Sequence, residues 1–231
     1  MRPDELKHAA ARKALTYVES GMAVGLGTGS TVRHLVDLLA DALDEGSLSD
    51  IVAVPTSVQT EEHARERRIR LVELGDQPTL NLTIDGADEV DPNLDLVKGL
   101  GGALLREKIV AQASRRLVII IDESKLVERL GTKAPLPVEV VDWAVEHQAR
   151  FLESTGAVVT LRTGEDGAPL RSDNGNVFLD CAFPEGIGDP AGLDETLRCR
   201  AGVVESGLFL GMADEIVVAA VDGTRSLRRG G

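Results

Sequence analysis

Leu117-Val-Ile-Ile-Ile121 is apolar at every position. A strand with water on one side alternates apolar and polar residues, so an uninterrupted run must be covered on both faces. Met22–Leu26 and Ile51–Val54 share this character, and Leu80–Ile84 and Ile69–Glu73 read as further strands. Helical patterns lie between them. Pro3–Val18 carries Leu6, Ala10, Ala14 and Tyr17 near helical spacing, and Val32–Asp44 places Val32, Leu35, Val36, Leu39 and Leu43 on one face. A charged helix is expected over Gln59–Arg67 and another over Gly102–Arg115. Doubly covered strands alternating with helices make a mostly parallel, doubly wound α/β sheet of the Rossmann-like class.

The pattern changes after Gly131. Pro137–Val141 reads as a strand, Trp143–Ser154 as a helix, Ala157–Arg162 and Asn176–Ala182 as strands, and Leu193–Arg200 as a helix. That order predicts a second, smaller α/β unit of the split βαβ, ferredoxin-like kind. Gly207–Leu210 and Glu215–Ala219 then read as strands near or within the first sheet. The expected organisation is a discontinuous larger domain, 1–130 and 207–231, interrupted by a small domain over 131–206.

In an open parallel sheet the loops at the carboxyl ends of the strands converge on one crevice. Three segments follow such strands. Gly25-Leu-Gly-Thr-Gly-Ser-Thr31 sets backbone amides and two hydroxyls at a helix start, where orphan N–H groups and the helix dipole favour an anion. It is not a dinucleotide fingerprint, because position 30 is Ser rather than Gly, and Val54 is followed by Pro-Thr-Ser rather than an acidic residue. It is not a Walker loop either, because it has no lysine. Asp85-Gly-Ala-Asp88 presents two carboxylates on a turn, suited to sugar hydroxyls or to simple Asx-turn chemistry. Lys98-Gly-Leu-Gly-Gly102 leads into a helix carrying Arg106-Glu107-Lys108. Lys98 could stabilise an oxyanion, whereas a glutamate flanked by two cations is ordinarily a solvated surface residue. Lys125, just past Ile121, also falls on the crevice side.

Charge and composition exclude several classes. The formal net charge is −13 and no block of Lys and Arg stands out, which argues against nucleic acid and anionic membrane as partners. The two cysteines, Cys181 and Cys199, lack the spacing of a zinc site or a redox pair and are expected to be buried free thiols. Asp91-Pro-Asn-Leu-Asp95 starts like a calcium loop but has Leu96 where glycine is needed and Gly102 where glutamate is needed. The four histidines form no metal-ligand spacing, and none lies in one of the three segments. The first residues lack the apolar stretch of a signal peptide, and no run approaches membrane-spanning length, so a cytoplasmic protein is expected.

Together these segments resemble the A-type ribose-5-phosphate isomerases. The matching residues are Gly25–Thr31, Thr83–Glu89, Lys98-Gly99 with Leu104–Ile109, Pro135–Val140, Asp173–Asn176 and Gly207-Leu-Phe209, in the family's order along nearly the whole chain. The resemblance implies interconversion of D-ribose 5-phosphate and D-ribulose 5-phosphate through an enediolate, without metal or cofactor. It implies a Rossmann-like domain with a small α/β lid domain, and a homodimer or homotetramer. By the same resemblance Glu107 is the general base, and Asp85, Asp88 and Lys98 are the sugar-facing catalytic groups. Thr28, Gly29, Ser30 and Thr31 bind substrate, as do Gly86, Ala87, Gly99, Leu100 and Gly101, and Lys7 and Lys125 lie near the phosphate. Leu100 departs from the glycine that many members carry in the turn after Lys98. The same fold family also includes sugar-phosphate-sensing domains, which need no base, and coenzyme A transferases, which use a glutamate as nucleophile.

Overall fold

The computed structural model describes residues 2–229. The chain divides into two compact units, Met1–Ala87 with Arg106–Lys125 and Met212–Gly231, and Asp88–Leu105 with Leu126–Gly211. This division places the segment 88–105 in the second unit, whereas the sequence reading put its boundaries at 130/131 and 206/207.

The first unit contains α1 (Pro3–Leu15), β1 (Ala23–Leu26), α2 (Ser30–Asp44), β2 (Val52–Pro55), α3 (Val58–Glu66) and β3 (Leu82–Asp85). The second begins with the short strands β4 (Glu89–Val90) and β5 (Leu96–Val97). Helix α4 (Leu104–Gln112) starts in the second unit and continues into the first, which adds β6 (Leu117–Asp122) and a 3-10 turn over Glu123–Lys125. The second unit resumes with β7 (Leu136–Val140), α5 (Val145–Glu153), β8 (Val158–Leu161), β9 (Val177–Ala182), α6 (Pro190–Arg198), β10 (Val203–Ser206) and β11 (Leu208–Phe209). The first unit closes with β12 (Glu215–Ala220) and β13 (Gly223–Arg228).

In the first unit the sheet order is β13-β12-β6-β3-β1-β2, parallel throughout except for β13. Both faces of β6 are covered, as its apolar run requires. On one side α2 buries Val32, Leu35, Val36 and Leu39, and α1 buries Ala10, Ala11 and Ala14, small residues that let the two helices approach closely. Pro3 at the first turn, Asp4 and Glu5 start α1, and the Glu5 carboxylate accepts the Arg2 amide at 2.8 Å.

The second unit holds a four-stranded antiparallel sheet, β10-β7-β9-β8, with α5 and α6 on one face: the split βαβ arrangement, completed by a strand, β10, that the sequence reading did not include. A separate three-stranded sheet orders β11-β5-β4.

Several sequence expectations need correction. Gly207–Leu210 does not join the first sheet; Leu208 and Phe209 pair with Val97 and Leu96 of β5. Ile69–Glu73 is not a strand. Only Leu71 bridges to Ala53, because the chain enters from Arg68 in the left-handed region and leaves the sheet edge after Val72. The polar hairpin strand β13 went unread because an edge strand held by backbone bonds needs no apolar pattern. Cys181 is buried, and burial followed by the charge of Asp180 pushes its thiol up to about 12; Cys199, capping α6, is exposed rather than buried. Among the described residues no helix is long and apolar enough to cross a membrane.

Candidate active site

The carboxyl ends of β1, β2 and β3 are tied to one another by side chains. Asp85 ends β3 and is 1% exposed. Its Oδ1 accepts the amide of Thr28 at 3.0 Å, in the loop after β1, and that of Gly86 at 2.7 Å. Gly27 is glycine for this reason, since a Cβ there would come within 2.0 Å of that oxygen. The Thr28 hydroxyl lies 2.8 Å from those of Thr56 and Ser57 after β2, and the Thr60 hydroxyl donates to the Gly27 carbonyl at 2.8 Å. The sequence reading missed Thr56, Ser57 and Thr60. Their signal was a cluster of hydroxyl residues at a strand end, noted only for lacking an acid.

This network turns Thr28 inward, so its side chain holds loops together. Gly29, at φ +117° in a region open to glycine, then starts α2. Ser30 is exposed and Thr31 half-buried in the first turn of a helix with no acidic residue there and no side-chain cap. Uncapped amides and an unopposed dipole leave that end suited to an anion. Lys7 on α1 and Lys125 in the 3-10 turn are both half-buried. Gly86 and Ala87 form the half-buried turn after Asp85.

Glu107 is 4% exposed, which removes the reading of a solvated surface glutamate. In α4, Leu104, Glu107, Lys108 and Ala111 recur at the spacing of a buried helical stripe, and all four are buried. Two charged residues therefore stand where an ordinary helix would place leucine.

The other candidates belong to the second unit. Asp88 is half-buried; its amide donates to the Val97 carbonyl at 2.8 Å, and its Oδ2 accepts the Leu100 amide at 3.0 Å. Lys98 is 3% exposed, with Nζ 5.4 Å from the centroid of the Phe209 ring, a cation–π distance. Its amide donates to the Gly207 carbonyl at 2.9 Å. Gly99 adopts φ +105°, while Leu100 is not among the residues with positive φ and its side chain is exposed. The departure at Leu100 thus carries no backbone strain. Gly101 is exposed. Glu89, quoted only as part of its motif, is fully buried; its carboxylate accepts the amides of Gly131, Lys133 and Ala134 and pins that loop before β7. Among the described residues no group of three His, Cys, Asp or Glu is placed to hold a metal ion.

The candidates thus fall into two sets, one in each unit, and the chain passes between the units at Ala87/Asp88 and Leu105/Arg106, beside Asp85, Asp88 and Glu107. The sequence profile of ribose 5-phosphate isomerase A (phosphoriboisomerase A) matches residues 52–223. Ribose-5-phosphate isomerase A of Desulfatibacillum aliphaticivorans is 50% identical over 225 residues, covering 97% of each chain. A solved D-ribose-5-phosphate isomerase in complex with phospho-erythronic acid superposes with a TM-score of 0.96 at 40% identity, covering 99% of this chain and 100% of that one. The ribose 5-phosphate isomerase of Plasmodium falciparum superposes with a TM-score of 0.95 at 38% identity, covering 99% and 100%.

Proposed function

The chain belongs to the ribose 5-phosphate isomerase A family and is an aldose–ketose isomerase of ribose 5-phosphate and ribulose 5-phosphate; on that premise we propose that Glu107 is the base that moves the proton between C1 and C2. The observation that carries this is the burial of Glu107 within the apolar stripe of α4. A glutamate held in that stripe is fixed in place, and abstraction of a proton beside a carbonyl needs a positioned carboxylate.

The chemistry balances with this chain's residues. Glu107 takes the C2 hydrogen of the open aldose as a proton. The C–H electron pair forms the C1–C2 double bond, and the carbonyl pair moves onto O1, giving an enediolate. A proton passes from O2 to O1, and Glu107 returns its proton to C1 as the C2 carbonyl forms. Lys98 supplies positive charge for the oxyanion, and Asp85 and Asp88 orient the hydroxyls. Ser30 and Thr31 with the first amides of α2 receive the phosphate, assisted by Lys7 and Lys125. Gly86, Ala87 and the Gly99–Gly101 backbone line the sugar. The enzyme acts in the cytoplasm as a homodimer or homotetramer, as the family resemblance implies.

Running the reaction in D2O to partial conversion tests the proton transfer. Deuterium is expected at C1 of ribulose 5-phosphate and at C2 of recovered ribose 5-phosphate. The proton held on Glu107 exchanges with solvent during the lifetime of the enediolate in part of the turnovers, so complete absence of label from both would overturn this route.

A further inference from the structure

The four-stranded sheet of the second unit has two unlike faces. Val138, Val140, Leu179 and Cys181 pack with Leu152 of α5 and Leu197 of α6. The residues that alternate with these, Glu139, Phe178 and Asp180, belong to the other face. Arg162, one residue past β8, is fixed to this sheet by its backbone. Its amide donates to the Phe178 carbonyl, and its own carbonyl accepts the Leu170 amide, both at 2.9 Å. Its guanidinium lies over the Phe178 ring, 4.7 Å from the centroid, and binds the Asp180 carboxylate through Nε at 2.9 Å and through Nη2. The remaining nitrogen, Nη1, donates to the Gly99 carbonyl at 3.0 Å and to the Leu100 carbonyl at 3.1 Å.

We infer that Arg162 is a positioning residue for the reaction, holding the turn after Lys98 in the orientation that substrate meets. In a trans peptide the C=O and N–H point in opposite directions. Drawing the Gly99 carbonyl to Arg162 turns the Leu100 N–H the other way, where Asp88 Oδ2 receives it at 3.0 Å. Drawing the Leu100 carbonyl to the same nitrogen turns the Gly101 N–H to that side as well. The Gly99–Leu100 peptide plane is thus gripped between a guanidinium and a carboxylate, and the next plane is held by the guanidinium. The planar fork of arginine allows this, because two of its nitrogens engage Asp180 while the third serves both carbonyls; a lysine cannot hold both partners in that geometry. A donor fixed before reaction helps most where negative charge develops, so losing the clamp should cost more in the transition state than in substrate binding.

This inference rests on the reading above that the Gly99–Gly101 backbone contacts substrate, and its test separates the two. Arg162→Ala would leave Asp180 without its partner, so Arg162→Ala/Asp180→Ala, which removes the pair whole, is made beside it, together with Arg162→Lys. For each, kcat, KM, melting temperature and inhibition by phospho-erythronic acid and by inorganic phosphate are measured. Phospho-erythronic acid carries a carboxylate whose delocalised charge resembles that of the enediolate. The expected result is a kcat lowered by about 10- to 100-fold in all three, below the loss typical of deleting an oxyanion donor itself. KM should change less than about threefold, phospho-erythronic acid should bind more weakly by a factor close to the loss in kcat/KM, and phosphate should bind as before. Millimolar guanidinium should restore part of the activity of Arg162→Ala. A folded double variant with normal kcat overturns the inference, as does equal loss of affinity for both inhibitors. Glu107→Gln is assayed in parallel. If it keeps full activity, the reading of the base fails, while the inhibitor affinities still decide the role of Arg162.

Discussion

Two buried carboxylates sit on the first unit's sheet, Asp85 at the carboxyl end of β3 and Glu215 at the amino end of β12, and they are held by different chemistry. Asp85 ends β3, and its Oδ1 accepts backbone amides from two glycine-containing loops. Glu215 begins β12, is 1% exposed, and is bound by side chains: Tyr17 Oη at 2.7 Å, Arg228 Nη2 at 3.1 Å, and Arg116. Burial by itself would raise the Glu215 carboxyl. The hydrogen bonds from Ser226, Tyr17, Arg228 and Arg116 outweigh it and hold the group at about 2. Glu215 thus ties the segments after α1 and before β6 to β12 and β13 through side-chain bonds, while Asp85 shapes the loops after β1 and β3 using neutral dipoles. The Glu215 cluster is expected to serve stability and the loops around Asp85 the proposed chemistry, so substitutions at the two should separate these properties.

The largest effect on stability is expected from Glu215→Gln. Lowering a carboxyl from 4.5 to about 2 on folding corresponds to about 3 kcal/mol at neutral pH. The half-exposed arginines are screened by solvent, so the measured loss should be at or below that figure. The folded-state value is depressed, so this stability is complete above pH 4.5 and is lost as pH falls from 4.5 toward 2. Denaturant unfolding of wild type and variant should show a gap that closes over that window, with kcat of the folded variant unchanged. A gap independent of pH would break the contrast between the two carboxylates.

A smaller and opposite signature is expected in the loop after β1 that Asp85 holds. Ser30→Ala/Thr31→Ala should raise KM for ribose 5-phosphate by about tenfold or more, since hydrogen bonds to a charged group contribute about 1.5–3 kcal/mol each. Melting temperature and kcat should barely move, because Ser30 is exposed and it is Thr28 that binds the loops together. An unchanged KM would place the phosphate elsewhere. The smallest effect is expected from dialysis against EDTA. The positive charge at the reacting oxygens is assigned to Lys98, so activity should stay constant; loss restored by a divalent ion would contradict that assignment.

How much of this was readable in advance follows from how each element is stabilised. The parallel core was legible because β6 needs apolar residues on both faces, and the loops after β1 and β3 were legible because glycine and aspartate mark strand ends. Strand β13 and the β11–β5 pairing were not, since the one is polar and backbone-held and the other is two residues long with partners distant in sequence. Among the candidate residues, the environment of Glu107 was written in the spacing Leu104, Glu107/Lys108, Ala111, where a charged pair interrupts a buried stripe. Arg162 was hidden for a different reason. Its partners, Gly99 and Leu100 in one segment and Phe178 and Asp180 in another, are distant from it in sequence, and only the alternation of Phe178 and Asp180 between Val177, Leu179 and Cys181 hinted at a second, polar face of that sheet.

The most direct test of the chemistry is Glu107→Gln, which keeps the shape of the side chain and removes the base. Steady-state kinetics on ribose 5-phosphate should show kcat reduced by about 10²–10⁴-fold, the usual cost of losing a general base, with KM little changed and a melting temperature at or above that of wild type. A variant that folds normally and retains near-normal kcat would contradict the assignment and make Asp85 the leading candidate for the base.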